Sequence, residues 1–256
     1  MKFLRFKHKN TIKNGYYKGE KVIELDENIL NYKDSPIDTL NSDKSYSLDE
    51  IKIIEPVNPS KIVCIGLNYK DHAKELNMDL PKVPRIFLKP PSSIIAHKED
   101  IVYPKMSNEV DYESELAIVI GKKCKDIEIN ESKDYIFGYT IINDVTARDV
   151  QREDIQWTRG KSFDTFAPIG PFIETNLNPL NLNISLSVNG KIKQNSNTKN
   201  MVFSPFELTS FISKIMTLYP GDIIATGTPP GVGSINKGDL VEIKIENIGT
   251  LQNYLR

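Results

Sequence analysis

From residue 56 onward the chain is a succession of short apolar, β-branched runs separated by Gly, Pro and Asn, and after one early helix only two stretches interrupt it at helical spacing. No other feature constrains the fold as strongly. The segment EPVNPSKIVCIGLNYKDHAKEL reads as a Pro-punctuated linker, an apolar strand and a helix beginning near Asn68. Further strands are expected at Arg85 to Leu88, Ile101 to Tyr103, Val110 to Ile120, Tyr135 to Ile142, Ile169 to Glu174, Ile184 to Val188, Asp222 to Thr226 and Leu240 to Ile245. The helices are expected at Val145 to Trp157 and Pro205 to Thr217; in the second, Phe206, Phe211, Ile212, Ile215 and Leu218 recur as a core-facing stripe. Strands without a regular strand and helix alternation indicate a β-rich α+β architecture and not a doubly wound sheet. Residues 1–55 alternate strand-like pieces, Met1 to Lys7 and Lys21 to Leu25, with Asn/Asp/Ser-rich turns, and read as a small leading segment before a main domain at 56–256.

Composition removes several function classes. Lys+Arg of 33 against Asp+Glu of 34 gives a formal charge of -1 with no long basic run, so the electrostatic footprint of a nucleic-acid binder is missing. Cys64 and Cys124 are the two cysteines, too few for a disulfide framework or a Cys-rich zinc site, and they fit a reducing, cytoplasmic compartment. The N-terminus lacks the apolar stretch of a secretion signal, and no apolar run approaches the roughly 20 residues that span a bilayer. With 39% apolar residues in 256, the chain can bury a sizeable core.

Within EVDYESEL, Asp111, Glu113 and Glu115 occupy alternate positions immediately before the apolar run Leu116 to Ile120. In one extended strand they share a face, and that face meets either water or a cation. The apolar run YIFGYTII ends in Asn143 and Asp144 just before TARDVQRED, at a strand end where sites collect. Asp144 can cap the following helix or join Glu113 and Glu115. If the three meet in a partly dry place, each pair near 4 Å repels by about 4 kcal/mol at an effective dielectric of about 20, and a divalent cation relieves that repulsion. An all-oxygen set suits Mg²⁺, Mn²⁺ or Ca²⁺ and not zinc.

Lys161, in RGKSFDTF, is either a surface lysine or, if buried beside a metal, a partner for an oxyanion. The stretch IIATGTPPGVG runs from strand into a Gly/Pro loop whose backbone N–H groups and Thr228 hydroxyl can receive an anion; it lacks the Lys-hydroxyl ending of a Walker loop. His72 and Glu75 lie at i and i+3 on one helix face, a surface contact or a general base with its orienting carboxylate.

The motifs KIVCIGLNYKDH, FLKP, VDYESELAIVIG, GYTIINDVTARDVQ, GKSFDTFAPIGP, ATGTPPGVG and GDLVEIKIENIGTLQN occur in an order and spacing that resembles the fumarylacetoacetate hydrolase family from Lys61 onward. The resemblance implies a β-sandwich-like roll, usually in a homodimer, and it is strongest to small members that act as acylpyruvate hydrolases, oxaloacetate decarboxylases or 2-hydroxyhepta-2,4-diene-1,7-dioate isomerases. It places Glu113, Glu115 and Asp144 on the family's Mg²⁺-ligand positions and Lys161 on that of its active-site lysine. By the same resemblance Gln151 and Thr228 face the substrate, and His72 with Glu75 forms the dyad tied to water activation.

The expected activity is therefore Mg-dependent hydrolysis of a C–C bond in a 2,4-dioxo acid through a metal-stabilised enolate. Isomerisation of the dienedioate or decarboxylation of oxaloacetate on the same site is the alternative. A non-catalytic cation or carboxylate binder on a degenerate family fold would need no water-activating pair.

Overall fold

The computed structural model describes residues 1–33, 35, 36, 40 and 42–256. The strand Ser114–Ile120 lies inside a large sheet, antiparallel on one side to Ile136–Asn143 and on the other to Ile223–Ala225. Beyond Ile223–Ala225 come Ile62–Gly66, paired in parallel, and Arg85–Lys89, which ends the sheet. Beyond Ile136–Asn143 come Ala167–Glu174, Lys2–His8, Thr11–Lys18, Lys21–Leu25 and Ser45–Ser47. A four-stranded antiparallel sheet is formed by Lys191–Asn197, Asn183–Val188, Leu240–Ile245 and Gly249–Tyr254, and a small one by Thr146–Ala147, Val110–Tyr112 and Gly233–Ser234. The protein is β-rich with few helices, as its strand-dense sequence dictates. Among the described residues no helix is long and apolar enough to cross a membrane.

The unbroken apolar text of the central strands has a simple cause: both sheet faces are buried. Leu116, Ile118 and Ile120 point to one face, where Ile184, Leu186, Ile243 and Leu251 of the four-stranded sheet and Leu208 and Ile212 of a helix pack against them. Ala117 and Val119 point to the other, which is covered by Phe3, Ile29, Leu40 and Val57 from the first 60 residues. The leading residues also enter the ladder itself, with Lys2 opposite Glu174 and Phe3 opposite Ile173, and the terminal ammonium bonds the Glu174 carboxylate.

Several boundaries differ from the sequence reading. The expected strand Val110 to Ile120 is two strands, Val110–Tyr112 and Ser114–Ile120, which belong to different sheets and break at Glu113. Only an isolated bridge, Ile101 to Leu255, stands where Ile101 to Tyr103 is expected. The helix expected at Val145 to Trp157 is the helix Arg148–Glu153 and a separate turn Thr158–Lys161. β-Branched Thr146 instead pairs with Asp111 as a strand residue, its hydroxyl donating to the Asp144 carbonyl at 2.8 Å. The helix near Asn68 is Lys70–Glu75, and the Pro205 helix ends at Ile215. That last helix starts on a capping box, Ser204 with Glu207, and on Pro205 in its first turn. Thr11–Lys18, Lys191–Asn197 and Gly249–Tyr254 are strands too polar for the sequence pattern to show.

Phe3 is fully buried and its ring lies 5.5 Å from that of Phe137. Phe3→Ala is expected to cost about 3–5 kcal/mol in urea unfolding and to shift one transition monitored across the whole chain. Loss of signal from the first strands alone would show that the leading segment unfolds independently.

Candidate active site

The end of the central strand pair brings the acidic residues together. Ser114 is opposite Asn143, so Glu113 and Asp144 follow each other across the end of the ladder, and the Asp144 N–H donates to the Glu113 carbonyl at 2.9 Å. The Asn143 side-chain oxygen accepts the Glu113 N–H at 2.9 Å and locks the bend. Glu115 sits one pair further in, and its carboxylate accepts the Gly227 N–H at 2.7 Å. Gly227 has φ +93, and a Cβ there would stand 2.8 Å from that of Asn68, so only glycine lets this N–H approach. Glu113, Glu115 and Asp144 are all buried, and each offers an oxygen within 4.8 Å of the others.

Three cations surround this cluster. Lys161, 2% exposed, donates to Glu113 at 2.8 Å and to Asp144 at 2.7 Å. Lys89, at the end of Arg85–Lys89, donates to the other Asp144 oxygen at 2.5 Å and to the Val145 carbonyl at 2.9 Å. Arg148 bonds Glu113, donates to Asp111 at 2.7 Å and to the Gln151 side-chain oxygen Oε1 at 2.5 Å. Asp111 also accepts from Ser234 at 2.9 Å, so it anchors Arg148 and stands outside the three-carboxylate cluster. Asp144 does not cap the helix, which begins at Arg148 behind Ala147.

Burial pushes both glutamates toward the neutral acid, but their neighbours divide them. For Glu113 the ammonium of Lys161 and the guanidinium of Arg148 outweigh burial and hold the carboxyl down at about 2. For Glu115 the charges of Asp144 and Glu113 reinforce burial, and its carboxyl rises well above the ordinary range. Burial pulls Lys161 down, yet Asp144 and Glu113 outweigh it and keep the ammonium charged. Four carboxylates thus face three cations, and among the protein's own groups a proton on Glu115 completes neutrality. The buried, all-oxygen donor set of Glu113, Glu115 and Asp144 fits a hard divalent cation, which would displace that proton.

The cluster opens into a cavity of about 160 Å³, lined also by His72, Gln151, Trp157 and Thr228. His72 Nδ1 lies 2.8 Å from Glu75, and Glu75 in turn accepts the Gly231 N–H at 3.0 Å, which ties the short helix Lys70–Glu75 to the Gly/Pro loop. A carboxylate only accepts, so Nδ1 carries the hydrogen and a neutral ring leaves Nε2 as the acceptor. The Thr228 hydroxyl accepts from Gln194 at 2.9 Å, leaving its own proton to donate. The loop's Gly227 and Gly231 N–H groups are taken by Glu115 and Glu75, so the backbone anion nest expected from ATGTPPGVG is largely used by the protein's own carboxylates.

The eight residues singled out in the sequence all meet around this cavity: seven of the side chains line it or join its carboxylates, and Glu75 reaches it through His72. Lys89, Arg148 and Gln194 are absent from that set. A signal existed for Lys89, which stands two residues from Phe87 at the end of a strand and before a proline, where a free surface lysine is out of place. Arg148 had a weaker one, four residues after Asp144. Gln194 lies in a polar strand and had none; its oxygen accepts the Ser114 N–H at 3.0 Å and its amide holds Thr228.

Buried carboxylates converge here on a cavity beside a His–Glu pair, an arrangement that could hold a metal ion. The family profile for the C-terminal domain of fumarylacetoacetate (FAA) hydrolase matches residues 61–256. An uncharacterized protein of Methanocaldococcus jannaschii is 58% identical over 238 residues, 93% of this chain and 95% of that one. A mitochondrial oxaloacetate tautomerase of Rattus norvegicus is 47% identical over 216 residues, 80% of this chain and 69% of that one. The solved structure of a 2-hydroxyhepta-2,4-diene-1,7-dioate isomerase from Mycobacterium marinum is 39% identical with a TM-score of 0.90, covering 100% of this chain and 98% of that one. The chain belongs to the fumarylacetoacetate hydrolase family.

Two outcomes follow. Mg²⁺ uptake by the wild type is expected to release about one proton, read from binding enthalpies in buffers of different ionisation enthalpy, and Glu115→Gln to release none while binding at least about 100-fold more weakly. An unaltered proton count in the variant would remove Glu115 from the ligand set. Lys89→Met strips Asp144 of one of its two buried cations and is expected to destabilise the protein by about 3–5 kcal/mol in urea unfolding; a change within about 0.5 kcal/mol would mean that the pair contributes nothing.

Proposed function

We propose that the protein is a divalent-metal-dependent hydrolase that cleaves the C3–C4 bond of small 2,4-dioxo acids, with pyruvate enolate as the leaving group. The observation that carries this reading is the His72–Glu75 pair opening on the same cavity as the three carboxylates. Glu113, Glu115 and Asp144 would hold a divalent ion, which would supply Lewis-acid polarisation to a 2-oxo acid, with Mg²⁺ favoured by the oxygen donors. His72 Nε2 takes a proton from the water that adds to C4, and Glu75 keeps the ring turned and shares the imidazolium charge. The C3–C4 bond then breaks, C4 leaves as a carboxylic acid, and the electron pair stays on the three-carbon fragment until C3 is protonated. Lys161 spends two of its three N–H donors on Glu113 and Asp144 and keeps the third for the developing oxyanion. Thr228 and Gln151 orient the acid from the cavity wall.

A second reading is keto–enol tautomerisation of oxaloacetate, favoured by the 47% identity to the rat tautomerase and by a cavity below the usual ligand-pocket range of about 300–1,000 Å³. There His72 would carry a proton between C3 and the 2-oxygen, with no water attack. Isomerisation of a dienoate needs the same proton movement, and oxaloacetate decarboxylation needs no base.

Product analysis separates these reactions. With Mg²⁺ and acetylpyruvate, equimolar pyruvate and acetate are expected, and His72→Ala is expected to lower that rate by about 10²–10⁴-fold with Mg²⁺ affinity retained in calorimetry. Glu75→Gln should give a smaller loss of the same kind. An enzyme that leaves acetylpyruvate intact but equilibrates enol and keto oxaloacetate would replace hydrolysis by the second reading.

A further inference from the structure

The strand Arg85–Lys89 carries Arg85, Phe87 and Lys89 at alternate positions, so one face runs from the carboxylate cluster to the surface. Lys89 is buried on Asp144, the Phe87 ring lies 5.1 Å from the Lys161 ammonium, and Arg85 is exposed at the rim of the same cavity. At about 3.4 Å per residue, the Arg85 and Lys89 Cα atoms are about 14 Å apart. Opposite this face stands Trp157, edge-on to Phe87 with ring centroids 5.3 Å apart. Gly66, the ladder partner of Arg85, makes room for that ring: a Cβ there would stand 2.6 Å from it.

The three cations that line the cavity differ in how they are used. Lys161 and Arg148 donate to protein carboxylates. The Arg85 side chain makes no hydrogen bond or ion pair among the described residues, so its whole planar fork of donors is available beside apolar Trp157 and Met78. A guanidinium set in this way matches a carboxylate bidentately, and the apolar flanks strengthen the attraction.

We infer that Arg85 reads a second carboxylate at the far end of the substrate, so that the site prefers 2-oxo diacids to monoacids such as acetylpyruvate; this rests on the 2-oxo acid reading of the same site. The first carboxylate and the 2-oxo group face the buried cluster, and the distal carboxylate reaches the rim alongside the contacting Trp157 and Phe87 rings. An arginine on a sheet-edge strand can also serve only to discourage edge pairing, a role indifferent to the ligand's far end.

The test uses two unreactive acids of equal length, 2-oxoglutarate with a terminal carboxylate and 2-oxopentanoate with a terminal methyl, titrated calorimetrically into the Mg²⁺-loaded protein. Oxalate, which has no far end, reports on the buried cluster. The wild type is expected to prefer the diacid, and Arg85→Gln to lower the diacid to monoacid affinity ratio by about 10- to 100-fold, the worth of a charge-assisted hydrogen bond. A wild type that binds oxalate and both acids without preference, or a ratio unchanged in Arg85→Gln, would overturn the role of Arg85 and leave the 2-oxo acid reading standing. A wild type that binds none of the three would overturn both.

Discussion

Three carboxylates held out of water within 4.8 Å of one another are the constraint on which the rest of the structure depends. Left alone they could not all ionise, so the fold surrounds them with fixed positive charge. Asp144 is bracketed by two lysines on its two oxygens, and Glu113 by a lysine and an arginine. Glu115 receives only a backbone N–H, from Gly227. That inequality leaves Glu115 the carboxyl pushed furthest toward its neutral form, by burial and by the charges of Asp144 and Glu113, and it makes the cluster sensitive to the charge of whatever enters the cavity.

Such a cluster needs a dry and rigid support, and the large sheet supplies it by being covered twice. Leu116 and Ile118 are sealed by the four-stranded sheet, and Ala117 and Val119 by residues from the first 60 positions. The leading residues are therefore part of what keeps Glu115 dry, although none of them lines the cavity. The three carboxylates stand at the end of a ladder whose register, Ser114 to Asn143, sets the distance between Glu113 and Asp144.

How much of this was legible in the sequence depends on whether a residue's role is local. The acidic alternation and the strand ending in Asp144 are local patterns, and Glu113, Glu115 and Asp144 meet as those patterns suggest. His72 and Glu75 meet because helical spacing alone brings i and i+3 together. Asp111 shares the alternation but not the site, because the chain leaves one sheet for another at Glu113, a break no propensity marks. Lys89 is 55 positions from the aspartate it bonds, and only the order of strands brings them together. Thr11–Lys18 and Lys191–Asn197 escaped notice because partly exposed strands carry too few apolar residues to show a period.

The face shared by Lys89, Phe87 and Arg85 also sorts the site by how freely it can change. At its inner end a side chain is at once a structural charge and a neighbour of the reacting atoms, so replacement there endangers folding and chemistry together. At its outer end Arg85, Leu76 and Met78 touch the cavity but are solvent-exposed, where substitutions usually move stability by no more than about 0.5 kcal/mol. A chain built this way can acquire new substrates by point changes at its mouth while its interior stays as it is, and libraries aimed at altered selectivity belong at that rim.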